Sequence, residues 1–543
     1  MSSPDDRAGG LRYGTPPARW VLLATVLGSA LAFIDGTVVN IALPHLGASL
    51  HADAAQLQWT VNAYTLSLTA LILLGGALGD RFGRRRVFVL GVAWFAAASL
   101  LCGLAPSIEA LLAARALQGA GGALLTPGSL AILEASFERQ DRARAIGAWS
   151  GLGGIAGALG PFLGGWLVQV ASWRWVFLIN LPVAALVIAV ALRHVPESRN
   201  PAAPRGTDLS GVLTAAVGLG GLTYGFTAWS ASGPGAPAVV TSLVLGATSL
   251  AAFVWLERRS PAPMLPLELF RSRTFTAANA ITFVVYAALG GMLFLVVLAL
   301  QVVAGFPPLL SGVSLLPITL LMLLLSARGG ALAQRIGPRL PMTVGPAVCA
   351  LALALLSRIG PGVSYLWSVL PSVALLGLGL SATVAPLTAT VLGAVDDRHA
   401  GIASGVNNAV ARAASLLAVA VLPLVAGLGR GRLTDPATLA PVYRSAMLVC
   451  AGLLLAGAGL AFATMPGRKG RRPAPAPAPP RRSGARVTRT AGATVSRAAP
   501  APARPPRRPG GWAGSAAGRR RRGRRGDRAP RWPPPRRRGG CGG

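Results

Sequence analysis

Apolar runs of membrane-spanning length alternate with short polar segments along this chain of 543 residues. A helix needs about 20 consecutive apolar residues to cross the hydrocarbon core of a bilayer. We count fourteen such runs, six in a first half, two in the middle and six in a second half. The pattern predicts an all-α polytopic membrane protein with two six-helix bundles and two extra central helices.

The polar segments divide the chain into five predicted regions. They are an N-terminal segment, a first six-helix bundle, a linker with the two extra helices, a second six-helix bundle and a basic tail. The predicted bounds are 1–18, 19–193, 194–273, 274–465 and 466–543. The first region is polar and lacks an apolar core, so we expect no cleavable signal peptide before the first run.

A short charged loop occurs twice, 254 positions apart. The first copy runs from Gly76 to Arg86, and the second from Gly330 to Arg339. Glycine, leucine, arginine, glycine and arginine recur at the same offsets, whereas Asp80 is replaced by Gln334. A repeated loop between apolar runs indicates two halves built on one plan, and such repeats are typical of secondary transporters.

One acid lies deep inside the first apolar run, which extends from about Trp20 to Leu43. Asp35 costs about 2.5–3.5 kcal/mol to insert on biological scales, and intramembrane acids are functional by default. The alternative is a structural hydrogen bond to a neighbouring helix. Thr37 and Asn40 follow it closely, and we include both with Asp35 in a candidate proton-coupling and substrate site.

The fourth run contains a cation, Arg115, roughly one turn from its start. Two interpretations stay open at this stage. Arg115 either extends its charge to the membrane surface, or it pairs with Asp35 and favours the ionised carboxylate. Gln118 lies one turn further along the run and is placed to share a network with Arg115.

Two further polar or glycine-rich features lie in apolar runs. The second half contains Arg412 beside Asn407 and Asn408, a second polar cluster and a candidate part of the substrate cavity. The fifth run is rich in glycine, and small residues three or four apart let helices approach closely. Its central stretch contains Gly160, Pro161, Gly164 and Gly165.

Composition agrees with a membrane protein: 53% of residues are apolar and only 13% are charged, against about 25% charged in soluble domains. The net charge of +34 is concentrated in the tail, where 23 Arg and Lys face one acid. We expect this Pro- and Arg-rich tail to be disordered. An unselected extension is favoured over a segment that binds anionic lipid or nucleic acid, because the tail shows no motif.

The distribution of arginine predicts the orientation. With the N-terminus in the cytoplasm, inner segments between runs carry seventeen arginines and outer loops carry four. This asymmetry follows the positive-inside rule. We therefore predict a multi-pass protein of the cell membrane with both termini cytoplasmic.

The motifs, taken in order, resemble the major facilitator superfamily, and specifically its fourteen-span drug–proton antiporter branch. The loop from Gly76 to Arg86 resembles the superfamily signature between spans two and three. Asp35-Gly36-Thr37 with Asn40 resembles the first-span motif of the branch. Arg115 with Gln118 resembles the fourth-span motif linked to proton coupling. Two features of the fifth and sixth spans also match. Gly160-Pro161-Phe162-Leu163-Gly164-Gly165 resembles the antiporter motif, and Trp173-Arg174-Trp175 with Asn180 is typical of the branch.

The resemblance implies two bundles that rock around a central site and export drugs or antibiotics in exchange for protons. It implies a proton gradient as the energy source and no cofactor. The expected partners are a small-molecule drug or antibiotic, protons and the lipid bilayer, with nucleic acid disfavoured. We see no metal cluster, catalytic nucleophile–base set or phosphate-binding loop, so we predict no enzyme. The alternatives are an exporter of an endogenous metabolite, or a non-transporting scaffold with a nucleic-acid-binding tail.

The signature loop is also a candidate gate. Asp80 is expected to accept hydrogen bonds from the N-terminus of the second-half helix that starts near Gly401, where the helix dipole is positive. This contact would close the inner side in the outward-facing state. Arg81 and Arg84 are expected to pair with Glu134 or Glu138. The predicted gating residues are Gly76, Asp80, Arg81, Gly83, Arg84 and Arg85.

Overall fold

A computed structural model describes residues 10–199, 208–260, 263, 265–395, 400–428 and 433–467. The predicted basic tail begins at 466 and therefore lies almost wholly outside the described residues. Apart from a single bridge between Leu11 and Phe137, the described part of the chain contains no β-structure.

Seven helices form the first half. They are α1 Pro16–Leu50, α2 Ala54–Phe82, α3 Arg84–Leu104, α4 Ile108–Ser136, α5 Arg139–Val170, α6 Trp175–Leu178 and α7 Asn180–His194. Two helices follow between the halves. They are α8 Leu209–Ser232 and α9 Pro237–Arg259.

The second half repeats the order of the first. Its helices are α10 Arg273–Leu298, α11 Pro308–Val313, α12 Leu316–Ile336, α13 Arg339–Leu356, α14 Leu370–Gly393, α15 Ala400–Val425 and α16 Pro436–Thr464. A π-helical segment, Ala299–Val303, extends α10, and a second one, Tyr365–Val369, precedes α14. Fourteen helical segments in the described residues are long and apolar enough to cross a membrane. This confirms the predicted fold class.

The helices of the two halves pack in the same pairs. In the first half α1 contacts α5 and α7, while α4 packs against α2 and α3. In the second half α10 contacts α15 and α16, while α14 packs against α12 and α13. The repeated loop in the sequence therefore corresponds to a repeated arrangement of helices.

The two halves meet along three pairs of helices related by the same repeat. These are α1 with α10, α2 with α15, and α5 with α11 and α12. The two extra helices, α8 and α9, pack against each other, and α8 also contacts α2 and α15. They therefore lie along one of the two lateral seams between the halves.

Both copies of the repeated loop turn at a glycine with a left-handed backbone. Gly83 ends α2 with φ 115°, and Gly337 ends α12 with φ 89°. Side chains other than glycine rarely adopt such angles. The glycine in the repeat is thus required by the tight connection between neighbouring spans.

The first helix is longer than its apolar run predicts. The run ends at Leu43, next to Pro44, yet α1 continues to Leu50 with Pro44 inside it. Membrane helices tolerate an internal proline, because neighbouring groups or local adjustments satisfy the freed carbonyl. The helix therefore does not end at Pro44, although the apolar run ends there.

The described part of the N-terminal segment docks against the turn between α4 and α5. The Leu11 amide donates to the Ser136 carbonyl at 2.7 Å, and the Glu138 amide donates to the Leu11 carbonyl at 3.1 Å. The Tyr13 amide donates to Asp141 Oδ2 at 2.8 Å. Backbone and carboxylate contacts thus hold residues 10–15 in place.

Candidate functional site

The candidate site is built on an ion pair between α1 and α4. Arg115 donates from a terminal guanidinium nitrogen to Asp35 Oδ2 at 2.5 Å. The side chain of Asp35 is 0% exposed and that of Arg115 is 1% exposed. Between the two interpretations of Arg115, the structure thus selects the one in which it pairs with Asp35.

Gln118 closes a ring of hydrogen bonds with this pair. Its Oε1 accepts from Arg115 at 2.6 Å, and its Nε2 donates to Asp35 Oδ1 at 2.8 Å. The same Nε2 donates to Ser99 Oγ on α3 at 2.8 Å. Ser99 Oγ in turn accepts from Asn180 Nδ2 on α7 at 3.4 Å. Four helices therefore contribute to one buried polar network.

Aromatic rings and a backbone carbonyl enclose the guanidinium. Arg115 Nε donates to the Thr60 carbonyl at 3.0 Å. The guanidinium carbon lies 4.4 Å from the centre of the Tyr64 ring and 5.7 Å from that of Phe177. The Tyr64 hydroxyl donates to the Ala32 carbonyl of α1 at 3.3 Å. Cation–π contacts of this kind are strongest where water is excluded.

The hydrogen-bond geometry of this network depends on the protonation state of Asp35. Each carboxylate oxygen accepts a hydrogen bond, one from Arg115 and one from Gln118. A proton added to either oxygen would be a donor facing another donor, and the arginine would lose its counter-charge. Protonation therefore requires the ring to rearrange, because a buried polar group without a partner is costly.

Thr37 and Asn40 lie outside this network, although they are close to Asp35 in sequence. The Thr37 hydroxyl contacts the Gly157 carbonyl of α5 at 3.5 Å. This is the carbonyl that Pro161 leaves without its helical donor. Asn40 Oδ1 is buried and has no hydrogen-bond partner in the described structure. Thr37 thus supports the packing of α1 on α5.

The glycines of the fifth-span motif bring α5 close to both halves. A side chain at Gly160 would meet Thr37, and one at Gly164 would meet Val38 Cγ2 at 2.6 Å. A side chain at Gly165 would meet the Pro308 carbonyl oxygen of α11 at 2.5 Å. The motif is therefore a contact surface that faces α1 on one side and the second half on the other.

The signature loop is held together by ion pairs other than the predicted ones. Asp80 pairs with Arg84 at 2.8 Å, and Glu138 pairs with Arg12 at 3.2 Å. Among the described residues no close ion pair joins Arg84 to Glu134 or Glu138, although burial raises the pKa of the Glu134 carboxyl and the positive charge of Arg84 acts to lower it. Asp80 lies in the last turn of α2, four residues before Arg84, and the turn at Gly83 brings its carboxylate to the start of α3. The predicted contact of Asp80 with the start of α15 stays a prediction, since that start adjoins undescribed residues 396–399.

Glu197, in the segment after α7, completes the loop, and the sequence did not single it out. Its Oε1 accepts from the Arg85 amide at 3.1 Å. Its carboxylate lies 3.7 Å from the guanidinium groups of Arg85 and Arg86. Glu197 therefore offsets part of the positive charge of the loop and satisfies one of the free amides at the start of α3.

Other residues of the predicted gate have local roles. A side chain at Gly83 would approach Glu197 Oε1 at 2.7 Å. The guanidinium carbon of Arg81 lies 5.0 Å from the centre of the Phe82 ring. A side chain at Gly76 would meet Pro127 Cβ at 3.7 Å, which is an ordinary van der Waals contact.

Arg412 lies apart from the Asp35 network, near the middle of α15. Its Nε is buried and has no hydrogen-bond partner in the described structure. The helix that carries it contacts α2 of the first half and α10 of the second half.

Three network residues, Ser99, Tyr64 and Thr60, were not predicted as site residues. A serine inside an apolar run is common, and Thr60 contributes only a backbone carbonyl, so neither carries a sequence signal. Asn180 was noted as typical of the branch, but without a role. Among the described residues, no group of three or more His, Cys, Asp or Glu side chains is placed to hold a metal ion.

Comparison with known proteins assigns this chain to a family. Residues 25–419 match the model of the Major Facilitator Superfamily. The chain is 39% identical to the multidrug resistance protein Stp of Mycobacterium tuberculosis over 402 residues, 74% of each chain. It is 36% identical to the tetracenomycin C resistance and export protein of Streptomyces glaucescens over 420 residues, 76% of each chain.

Solved structures agree on the fold. A POT family transporter in complex with a thioalcohol-conjugated peptide superposes with a TM-score of 0.63 at 14% identity. The match covers 83% of this chain and 96% of that one. At this level of identity the likeness concerns the fold alone. The chain therefore belongs to the Major Facilitator Superfamily, as a transporter and not an enzyme.

Proposed function

We propose that the protein exports drugs or antibiotics from the cell in exchange for protons, and that Asp35 is the proton-coupling group. The observation that carries the proposal is the fully buried Asp35–Arg115 pair with its ring of hydrogen bonds. Relatives named for multidrug resistance and for tetracenomycin C export support the substrate class. The proton gradient supplies the energy, and no cofactor is needed.

Coupling passes through α1. This helix carries Asp35, and six residues further on its Ile41 carbonyl accepts a hydrogen bond from Gln301 Nε2 of the second half at 3.0 Å. Protonation of Asp35 releases Arg115 and loosens α1 from α4. The same movement then changes the contact between the halves. A ligand that binds one arrangement more tightly shifts the balance between the two.

We propose that the protein lies in the cell membrane with both termini in the cytoplasm. The excess of arginine in the segments on that side supports this orientation. In this orientation, the loop that contains Gly83 and the docked segment 10–15 both face the cytoplasm. The drug is released at the opposite side of the membrane. Lipid surrounds the fourteen spans.

Everted membrane vesicles test this function. An acid interior is imposed, and accumulation of tetracenomycin C, fluorescein or rhodamine 123 is followed with the wild type and with Asp35→Asn. We expect gradient-dependent accumulation of at least one compound by the wild type and none by the variant. Glu109→Gln is a matched control, because Glu109 is an exposed acid in the first turn of α4 and lies outside the Asp35 network.

Two outcomes would contradict the proposal. Accumulation by Asp35→Asn at the wild-type rate, at equal amounts of folded protein, would remove Asp35 from the mechanism. Absence of accumulation by the wild type for every compound would refute drug export and favour an endogenous metabolite as the substrate.

A further inference from the structure

A second cation lies deep in the membrane-spanning region, and the described part of the chain supplies no counter-charge for it. Arg412 is twelve residues from the start of α15, a helix of 26 residues. Its side chain is half-buried, and its Nε is buried without a hydrogen-bond partner. The ion pairs found among the described residues leave it unpaired. Arg115, by contrast, has Asp35.

Neighbouring polar groups are already engaged elsewhere. Asn407 Oδ1 accepts from Thr282 Oγ1 at 2.8 Å, and Ser415 Oγ donates to the Tyr286 carbonyl at 3.1 Å. Asn408, one turn from Arg412 on the same face of α15, is exposed. Since α15 contacts α2 of the first half and α10 of the second, Arg412 lies on a helix at the boundary between the halves.

The described spans leave Arg412 without an acid to pair with. Arg115 of α4 and Arg412 of α15 both lie inside their helices. Asp35 is the only acid in the described spans that lies more than about two turns from a helix end, and Arg115 already neutralises it. An unpaired guanidinium at this depth is costly. A ligand with a hydrogen-bond acceptor would supply the partner that Arg412 lacks, and ionisable residues at this depth mark substrate pathways.

We propose that Arg412 is the anchor of the ligand site and binds an anionic or acceptor-rich oxygen group, such as a carboxylate, phenolate or enolate, of the exported molecule. The proposal rests on the proposed function and narrows its substrate class. A guanidinium binds such groups with two parallel hydrogen bonds, and it repels a cation. The transporter therefore prefers lipophilic organic anions and oxygen-rich neutral molecules to lipophilic cations.

Equilibrium binding to the purified protein in lipid nanodiscs tests this preference. Fluorescein and rhodamine 123 share a xanthene frame but carry opposite charge, so they isolate the contribution of charge. Binding is read by fluorescence anisotropy at constant pH without a gradient. We expect the wild type to bind fluorescein more tightly, and Arg412→Gln to weaken fluorescein binding about tenfold. Rhodamine 123 binding is expected to stay the same or to improve.

Two further variants separate charge from packing. Arg412→Lys keeps the charge but loses the planar fork, so it should give an intermediate affinity for fluorescein. Arg444→Gln is the matched control, since Arg444 is an exposed arginine within α16. It should bind both dyes as the wild type does. Arg412→Gln should also be at least as heat-stable as the wild type, because it removes an unpaired charge.

Several results would overturn the proposal. These are tighter binding of rhodamine 123 than of fluorescein by the wild type, binding of neither dye, or an equal loss of both dyes in Arg412→Gln. The assay uses no proton gradient, so its failure is distinct from a failure of proton-coupled export. If the wild type accumulates drug in vesicles but shows one of these binding results, proton-coupled export stands and the role of Arg412 as the ligand anchor is refuted.

Discussion

Asp35, Arg115 and Gln118 form a closed ring in which three hydrogen bonds join the three side chains. Such a ring is stable only when complete, because each group is buried and depends on the others. It can therefore act as a switch: a single proton on Asp35 removes the charge that holds Arg115. The same feature makes the ring sensitive to mutation.

A double-mutant cycle measures this dependence. Asp35→Asn or Arg115→Gln alone leaves one buried charge unpaired, and each should destabilise the protein by about 3–5 kcal/mol. The double variant removes both charges and should cost clearly less than the sum. Thermal unfolding in detergent or nanodiscs provides the measurement. Additive losses would show that the two side chains do not depend on each other.

Asp80 is a residue whose role in transport should exceed its role in stability. It is partly exposed and pairs with Arg84 one turn away, and such pairs contribute at most about 1 kcal/mol. Asp80→Asn should therefore unfold at nearly the wild-type temperature while its transport rate falls severalfold. Transport at the wild-type rate would refute the gating role of Asp80.

The sequence predicted the charged members of the site better than their partners. An acid and an arginine inside apolar runs are conspicuous because they are costly there, so Asp35 and Arg115 could be named in advance. Their pairing joins residues 80 positions apart, and it was left as one of two interpretations. Thr37 and Asn40 were grouped with Asp35 by proximity in sequence, which does not fix the face of the helix on which a side chain lies.

At the scale of single elements, α5 is the helix that connects the two halves most closely in the first bundle. Its glycines contact α1 through Gly160 and Gly164, and α11 through Gly165. The sequence indicated close packing here, but not the partners. The partner α11 belongs to the other half, and contacts between distant segments leave no periodic signal in either one.

Substitution of Gly165 tests the role of this contact. Gly165→Val would place a side chain against the Pro308 carbonyl, 2.5 Å from the added Cβ. We expect transport to slow at least tenfold, because the halves can no longer approach there. Gly151→Val is the control, since nothing lies within 4 Å of an added Cβ at that position of the same helix. Equal transport rates of the two variants would contradict the assignment.

Across the whole molecule, the repeat is visible in sequence, in helix pairing and in the contacts between halves. The α8–α9 pair departs from it, since it lies beside the seam of α2 and α15. Helix number and order followed from hydropathy because the bilayer fixes the length of every span. The docking of residues 10–15 on the α4–α5 turn did not follow, because backbone hydrogen bonds form with almost any sequence.

The central claim is that Asp35 carries the proton that drives export. The most direct test follows proton movement itself in everted vesicles, whose interior is acidified and monitored with a quenched acridine dye. A compound that the wild type accumulates is then added. The account predicts release of protons and recovery of fluorescence with the wild type, and no recovery with the Asp35→Asn/Arg115→Gln double variant. Equal recovery with the folded double variant would contradict it.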